Sequence, residues 1–385
     1  MSDQTDQKNL GKYRELIDKL DRQLIDTLAE RQKTVQEVFS NKLEEAKEIR
    51  DQEREKNLLQ RVREMAVDAG IDPYFAEKLF QQIIRQSLRY QTYSLVDHQN
   101  EADANQTVVI AYQGVQGAFS DQAARRHFSD RYTNVECIGY RTFEAAGEAV
   151  EEGKANYAIL PIENTTAGSI NDTYDLLANG TLHIVGEEVL HIEHCLMTPG
   201  KVKLENIRRI LSHPQAIAQC SRFLAEMPRC KIESYYDTAM AARKVKEEDD
   251  LSQAAIASAY AAELYGLYIV KKGIANQPEN FTRFVVVSKQ PVSIDAQIPC
   301  KTSLVFATPH EKGALISCLR VLEDHDINMA KLESRPRPRK PWQYQFFLDI
   351  EGNINDPAVE KGLKELEGKA VFLKILGCYP RQSEG

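Results

Sequence analysis

No apolar run in this sequence approaches the ~20 residues that a helix needs to cross a bilayer. A helical membrane anchor is therefore not expected. The seven cysteines are scattered from Cys137 to Cys378 and none forms a Cys-x-x-Cys pair. Neither a zinc site nor a disulfide framework is suggested. Scattered thiols and no apolar leader lead us to expect a reducing cytoplasm. There is no positive charge excess: the formal balance is -8, which argues against a nucleic-acid surface. His191 and His194 lack the i,i+4 spacing of a helical metal pair, so both read as structural and no metal is expected. The 385 residues are enough for two or three domains, each with its own core.

Residues 12 to about 47 contain neither glycine nor proline. Ile17, Leu20, Leu24, Leu28, Val35 and Val38 repeat at three and four, the seam of one long helix. A second helix is predicted from Asp51 to Ala69, stopping near Gly70, and a third from Asp72-Pro73 to Leu95. Met1 to Asn9 is polar and expected to fray. A first helix of this length is expected to pack against a partner chain.

Polar residues on the apolar stripes carry the information. Arg14, Arg31 and Lys42 fall on the seam, where an unpaired charge is costly. On the second helix Asp51, Arg54 and Glu55 share a face with Leu58 and Val62. On the third, Ser87 and Gln91 follow Ile83 at helical spacing. An ion-paired bundle interior would need matched acids, yet the cations Arg14, Arg31, Lys42 and Arg54 face only Asp51 and Glu55. Excess inward cations call for an anionic ligand. Arg14 and Arg31 are seventeen residues apart, roughly 26 Å along a helix. One straight helix cannot bring both to one pocket, so a shared site needs two subunits.

Asp97 to Gln106 is polar and unpatterned, a predicted linker. Beyond it strands and helices alternate. Val108 to Tyr112 reads as a buried strand, and Gly114-Val115-Gln116-Gly117-Ala118-Phe119-Ser120 leads into a helix. That turn is expected to offer backbone N–H groups and Ser120 to an anion. Tyr157 to Ile162 is a strand ending in Glu163-Asn164-Thr165-Thr166. Ser212-His213-Pro214-Gln215 ends another strand and starts a helix, and Ala254 to Ala259 is a further strand. Phe284-Val285-Val286-Val287 closes the series, with Asn280, Thr282 and Arg283 at its mouth. An amide, a hydroxyl and a planar guanidinium held there suit a small anion. The plainer alternative is a strand that begins with a turn. Polar clusters at strand ends are where open α/β sheets bind ligands.

The last stretch reads strand, helix, strand, strand, helix, strand: Thr302–Thr308, Lys312–Glu323, Ile327–Ser334, Trp342–Ile350, Pro357–Leu366 and Ala370–Gly377. This is a ferredoxin-like plan. The basic, proline-interrupted run Arg335 to Lys340 reads as a solvated loop.

Three motif sets carry a resemblance to known families. Arg14, Asp21, Ala29-Glu30-Arg31, Lys42, Asp51-Gln52-Glu53-Arg54-Glu55, Ser87 and Gln91 resemble the helical chorismate mutase domain. Gly114-x-x-Gly117, Pro161-Ile162-Glu163-Asn164, Ser212-His213-Pro214-Gln215 and Thr282-Arg283-Phe284 are similar to prephenate dehydratase. Gly313-Ala314-Leu315-Ile316 with Glu333-Ser334-Arg335-Pro336 looks like an ACT domain that binds phenylalanine.

The resemblance implies a multidomain fold: an all-α intertwined helical domain (1–96), a two-lobed α/β domain like a periplasmic binding protein (107–290), and a ferredoxin-like α+β ACT domain (300–385). It implies a cytoplasmic homodimer or higher homo-oligomer. Chorismate would become prephenate, and prephenate would lose water and carbon dioxide to give phenylpyruvate, with phenylalanine as allosteric inhibitor. No metal or organic cofactor is implied. Arg14 and Arg31 would hold chorismate's carboxylates, Lys42 and Gln91 would face its ether oxygen, and Asp51, Glu55 and Ser87 would fix its hydroxyl edge with Arg54 in support. Thr282 would be essential to the dehydratase, with Glu163, Asn164, Ser212 and Asn280 in its cleft. Arg283 would hold the pyruvyl carboxylate or organise the cleft. Gly313, Ala314, Leu315, Glu333, Ser334 and Arg335 would bind phenylalanine.

Overall fold

The computed structural model describes residues 2–44, 52–100, 106–295, 298–337, 340 and 342–381. The chain forms two compact units, Met1–Leu95 and Val96–Gly385.

The first unit is helical: α1 (Ser2–Glu44), α2 (Gln52–Asp68) and α3 (Pro73–Gln99). Helix α1 begins at Ser2, so the polar start continues the helix rather than fraying; no glycine or proline precedes Gly11 to break it. Helix α2 ends where Gly70 takes φ 70° and the Ile71 N–H returns to the Ala66 carbonyl. Helix α3 opens with the Asp72 carboxylate accepting from the Tyr74 N–H at 3.0 Å and Pro73 in first place. It runs on past Leu95 to Gln99. The expected linker therefore starts late: Asp97 pairs with Arg131, and Asn100 exchanges two hydrogen bonds with the Ser293 backbone, at 2.9 and 2.8 Å.

In the second unit, β1 (Thr107–Gln113), α4 (Phe119–Phe128), β2 (Asn134–Tyr140), α5 (Phe143–Glu151), β3 (Tyr157–Asn164), β4 (Gly168–Ser169), α6 (Asn171–Asn179) and β5 (His183–His191) start a first lobe. A second lobe takes β6 (Cys195–Thr198), β7 (Arg209–Ser212), α7 (Pro214–Gln219), α8 (Ser221–Ala225), β8 (Lys231–Ser234), α9 (Thr238–Glu248), β9 (Gln253–Ala257), α10 (Ala259–Tyr265) and β10 (Tyr268–Lys271). The chain then returns, and β11 (Phe281–Ser288) inserts between β3 and β5. The sheets run β2-β1-β3-β11-β5 and β10-β6-β9-β7-β8. Two crossovers, residues 192–194 and 272–280, join the lobes. This is the two-lobed α/β plan of periplasmic binding proteins.

The last segment, β12 (Cys300–Ala307), α11 (Ala314–Asp324), β13 (Asn328–Pro336), β14 (Tyr344–Glu351), α12 (Pro357–Lys369) and β15 (Phe372–Pro380), forms an antiparallel sheet ordered β13-β14-β12-β15. Strand alternation splits its apolar residues between two faces. Leu304, Phe306, Leu348 and Ile350 pack with Val321 of α11 and Leu363 of α12. Val305 and Phe347, one step out of phase, join Ile184, Leu177 and Val285 of the first lobe in a shared core. Strand β15 passes so near β5 that a Cβ added at Gly377 would lie 2.0 Å from the Ile184 carbonyl oxygen. Only glycine permits that approach.

Candidate active sites

In the helical unit, Arg31 of α1 donates to the Ser87 hydroxyl of α3 at 2.8 Å, and Ser87 donates to the Ile83 carbonyl. Burial pushes the Arg31 guanidinium below its ordinary pKa. Arg14 lies on the same unbroken helix but is exposed. Ile17, Leu20 and Leu24, the seam residues beside it, are each more than half exposed within one chain. Glu55 and Gln91 are half-buried and Arg54 is exposed. Asp51 lies outside the described residues, as does the side chain of Lys42.

The cleft site is built by strand register. Strand β11 runs antiparallel to β3, with Thr282 opposite Asn164 and Arg283 opposite Glu163. Side chains alternate along a strand, so Thr282 and Asn164 share one face while Arg283 and Glu163 take the other. On the first face Asn164 is the hub. Its Oδ1 accepts from the backbone N–H groups of Thr166 (3.0 Å) and Ala167 (2.9 Å). Backbone donors cannot reverse, so the orientation of this amide is fixed. Its Nδ2 therefore donates to Asn280 Oδ1 at 2.7 Å and to Thr282 Oγ1 at 3.0 Å. Gln219, at the end of α7 in the second lobe, donates to Thr166 Oγ1 at 2.6 Å. Its Oε1 accepts from His194 Nε2 at 2.8 Å and Asn280 Nδ2 at 3.4 Å. Thr282 is 8 % exposed, at the point where the lobes meet.

The other face corrects the reading of Arg283. Its Nε donates to Glu187 at 2.8 Å, Nη1 to Asp349 at 2.6 Å and Nη2 to the Tyr379 hydroxyl at 2.8 Å. Lys301 pairs with Glu187 at 2.9 Å, and Ser303 binds both Asp349 and Tyr379. Arg283 thus joins the first lobe to the C-terminal sheet and does not point at a cleft anion. Glu163 goes the same way, pairing with Lys331 of β13 at 2.9 Å. Ser212 is also absent from the hub: its hydroxyl donates to the Ile256 carbonyl at 2.6 Å inside the second lobe's sheet. The glycine turn does not hold its amides open for an anion. Gly117 N–H is taken by the Asp121 carboxylate at 2.9 Å and Gly114 N–H by the Tyr140 carbonyl at 2.8 Å. An acid in the first turn of α4 already occupies that helix start.

Gln219 and Thr166 went unassigned in the sequence, and His194 was read as structural. Thr166 lies in the turn after β3, where its N–H donates to the Asn164 side chain two residues before, an Asx turn that would have placed it; Gln219 ends a six-residue helix in the other lobe and carries no local signal. His191 Nε2 donates to the Pro278 carbonyl at 2.8 Å. A cavity of about 240 Å³ lined by Asp97, His127, Arg131 and Tyr132 lies apart from these groups, and no hub residue lines it.

In the C-terminal sheet Gly313 precedes α11 at φ 80°, and a Cβ added there meets no atom within 4 Å. Ala314 and Leu315 open that helix, and Ile316 is 64 % exposed. Glu333 accepts from the Ser169 hydroxyl at 2.8 Å and Arg335 donates to Asp175 at 2.8 Å, so both side chains are engaged with the first lobe. Ser334, between them in β13, takes the opposite face.

A chorismate mutase type II family model matches residues 13–92 and a prephenate dehydratase model residues 110–292. The chain is 39% identical over 379 residues to the bifunctional chorismate mutase/prephenate dehydratase of Escherichia coli (strain K12), covering 98% of each. Among solved structures it is similar to GqqA, described as a novel type of quorum quenching acylase, with TM-score 0.65 and 35% identity over 71% of this chain and 98% of that one. It is also similar to the prephenate dehydratase from Arthrobacter aurescens in complex with L-Phe, with TM-score 0.66 and 29% identity over 72% of this chain and 92% of that one. Matched in both regions and along nearly its whole length, the chain belongs to the bifunctional chorismate mutase/prephenate dehydratase family.

Proposed function

We propose that the helical unit rearranges chorismate to prephenate, that the cleft converts prephenate to phenylpyruvate, and that phenylalanine inhibits the second step. The observation that carries the cleft chemistry is the direction of the hydrogen bond on Thr282. Asn164 Nδ2 donates to Thr282 Oγ1, so the hydroxyl's own proton is left for another acceptor. That acceptor is the leaving hydroxyl of prephenate. The ring-carboxylate C–C bond breaks, its electron pair enters the ring, and the C–O bond breaks as the oxygen, hydrogen-bonded by Thr282, takes a proton that solvent water supplies, leaving Thr282 neutral. Water and carbon dioxide leave, and the ring becomes aromatic. A neutral donor suits the step, because a cation clamped on the ring carboxylate would stabilise the ground state. Arg283, turned to the opposite face, leaves the cleft free of that clamp.

The mutase reaction is concerted and needs no nucleophile. Holding a compact conformer and stabilising charge on the ether oxygen suffice. In this reading Arg31 and Arg14 bind carboxylates, Lys42 and Gln91 face the ether oxygen, and Asp51, Glu55, Ser87 and Arg54 hold the hydroxyl edge. The exposed seam of α1 supports an intertwined dimer in which Arg14 comes from the second chain. Chains carrying Arg14→Ala and Arg31→Ala, each inactive alone, are expected to regain part of the mutase activity when mixed as heterodimers. Heterodimers that form but stay inactive overturn the shared site.

The phenylalanine site is assigned to the C-terminal sheet at a second chain's interface, with Gly313, Ala314 and Leu315 on one side and Glu333, Ser334 and Arg335 on the other. Gly313 holds a left-handed φ that a β-branched residue does not tolerate. Gly313→Val therefore acts by re-forming the loop before α11, since the single chain offers its side chain no clash. Phenylalanine inhibition should disappear while uninhibited dehydratase activity stays near parental. Calorimetry decides: undiminished phenylalanine binding by the variant places the site elsewhere.

A further inference from the structure

The structure assigns to His194 a positioning role in the dehydratase: it holds the amide of Gln219, and with it the hydrogen bonds that Gln219 makes to Thr166 and Asn280, the neighbours of Asn164 beside Thr282. This inference rests on the dehydratase reading of the cleft. His194 is 3 % exposed and sits on the first crossover between the lobes. The second crossover supplies Asn280. Gln219 Oε1 accepts from both, at 2.8 Å from His194 Nε2 and 3.4 Å from Asn280 Nδ2. One carbonyl oxygen therefore reads both hinge strands.

The direction of every bond follows from the backbone. Thr166 N–H and Ala167 N–H fix Asn164 Oδ1 as an acceptor. Thr166 Oγ1 donates to that same oxygen at 2.7 Å, so it must accept from Gln219 Nε2 at 2.6 Å. Gln219 Oε1 then faces His194, which must carry its proton on Nε2. A reversed Gln219 amide would set its NH2 against two donors and its oxygen against Thr166. Thr166 would turn its hydroxyl to that oxygen and leave Asn164, whose Oδ1 would keep its two backbone donors and lose the third bond that holds the amide beside Thr282.

The other ring nitrogen fits this tautomer. His194 Nδ1 is buried and has no hydrogen-bond partner among the described residues. An Nδ1–H there would be an unsatisfied buried donor, while a bare lone pair costs less. The ring stands edge-on to Phe119, centroids 5.8 Å apart and 78° between planes. Burial lowers the ring's pKa, keeping it neutral.

A space-filling role and a positioning role predict opposite results. His194→Phe keeps a flat ring against Phe119 but removes the donor. His194→Gln sacrifices the ring contact but returns an N–H near the place of Nε2. Positioning predicts that His194→Phe lowers dehydratase kcat by about 10- to 100-fold with KM little changed, and that His194→Gln restores most of it. Circular dichroism and thermal unfolding of the same preparations serve as the folding control, since the mutase belongs to a separate compact unit. Equal activity of His194→Phe and parent, or a glutamine variant no better than phenylalanine, overturns the role. Parent protein that fails to dehydrate prephenate would instead overturn the dehydratase reading. Nitrogen-15 spectra of labelled parent protein decide independently of any variant: Nε2–H is expected, and an Nδ1–H tautomer overturns the inference.

Discussion

Thr282→Ala is expected to cut dehydration by about 10²- to 10⁴-fold, the range for losing one positioned proton donor. Given chorismate, the variant should accumulate prephenate at close to the parental mutase rate, because the mutase residues belong to a separate compact unit. Thr282→Ser keeps the hydroxyl and its acceptor role toward Asn164, and should retain part of the activity. The alanine variant also frees one Asn164 N–H, but Asn280 and the Phe281 carbonyl still accept from that amide, so the pairing of β3 with β11 should hold. Phenylpyruvate formed at the parental rate by the alanine variant would remove Thr282 from the chemistry.

Arg283→Ala should be the most destabilising single change in the second unit. It strips one guanidinium from Glu187, Asp349 and Tyr379, leaving Lys301 as the remaining cation. Breaking a buried ion pair from one side costs about 3–5 kcal/mol. Arg283→Lys should recover only part, because one ammonium cannot serve three divergent acceptors. Asp349 supplies a pH signature. Burial raises its pKa, but the charge of Arg283 and hydrogen bonds from Ser303 and Arg283 outweigh this and hold it below the ordinary aspartate value. A depressed folded pKa contributes stability above the unfolded value of about 3.9, lost as pH falls through the folded value. In the alanine variant only the Ser303 hydrogen bond and the charge of Lys301 oppose burial. Its deficit should be largest near pH 7 and shrink toward pH 4, as the stranded carboxyl protonates. Urea unfolding at the two pH values checks this; an equal deficit at both would mean the network is not the cause.

The elements were legible where period and punctuation agreed. The six elements after residue 300 emerge where strand and helix periods predict them, and Asp72-Pro73 opens α3 as its capping chemistry requires. Side-chain direction was legible in principle and misread at two neighbouring pairs, Thr282-Arg283 and Glu163-Asn164. Arg283 follows Thr282 directly, and a period of two sends neighbours to opposite faces; reading both into one anion site ignored that. The partners of Arg283 were not legible, since Glu187, Asp349 and Tyr379 are far off in sequence and meet it only through β-sheet order. Gln219 was invisible for the same reason: its value comes from two crossovers that bring His194 and Asn280 to one oxygen. The mutase seam was legible as apolar, and Ile17, Leu20 and Leu24 stay exposed within one chain.

The core shared between the C-terminal sheet and the first lobe bears on how this gene can be cut and rejoined. A stop codon near residue 96 divides the protein between compact units. One near residue 300 does not. It would remove Val305, Phe347, Leu376 and Tyr379 from a core they share with Ile184 and Val285, and would strand Glu187 and Arg283 without Lys301 and Asp349. The mutase portion can therefore be lost or transferred as a cassette. The C-terminal segment cannot be shed without damage to the catalytic lobe, and variants that escape the phenylalanine inhibition proposed above should arise by point substitution rather than truncation.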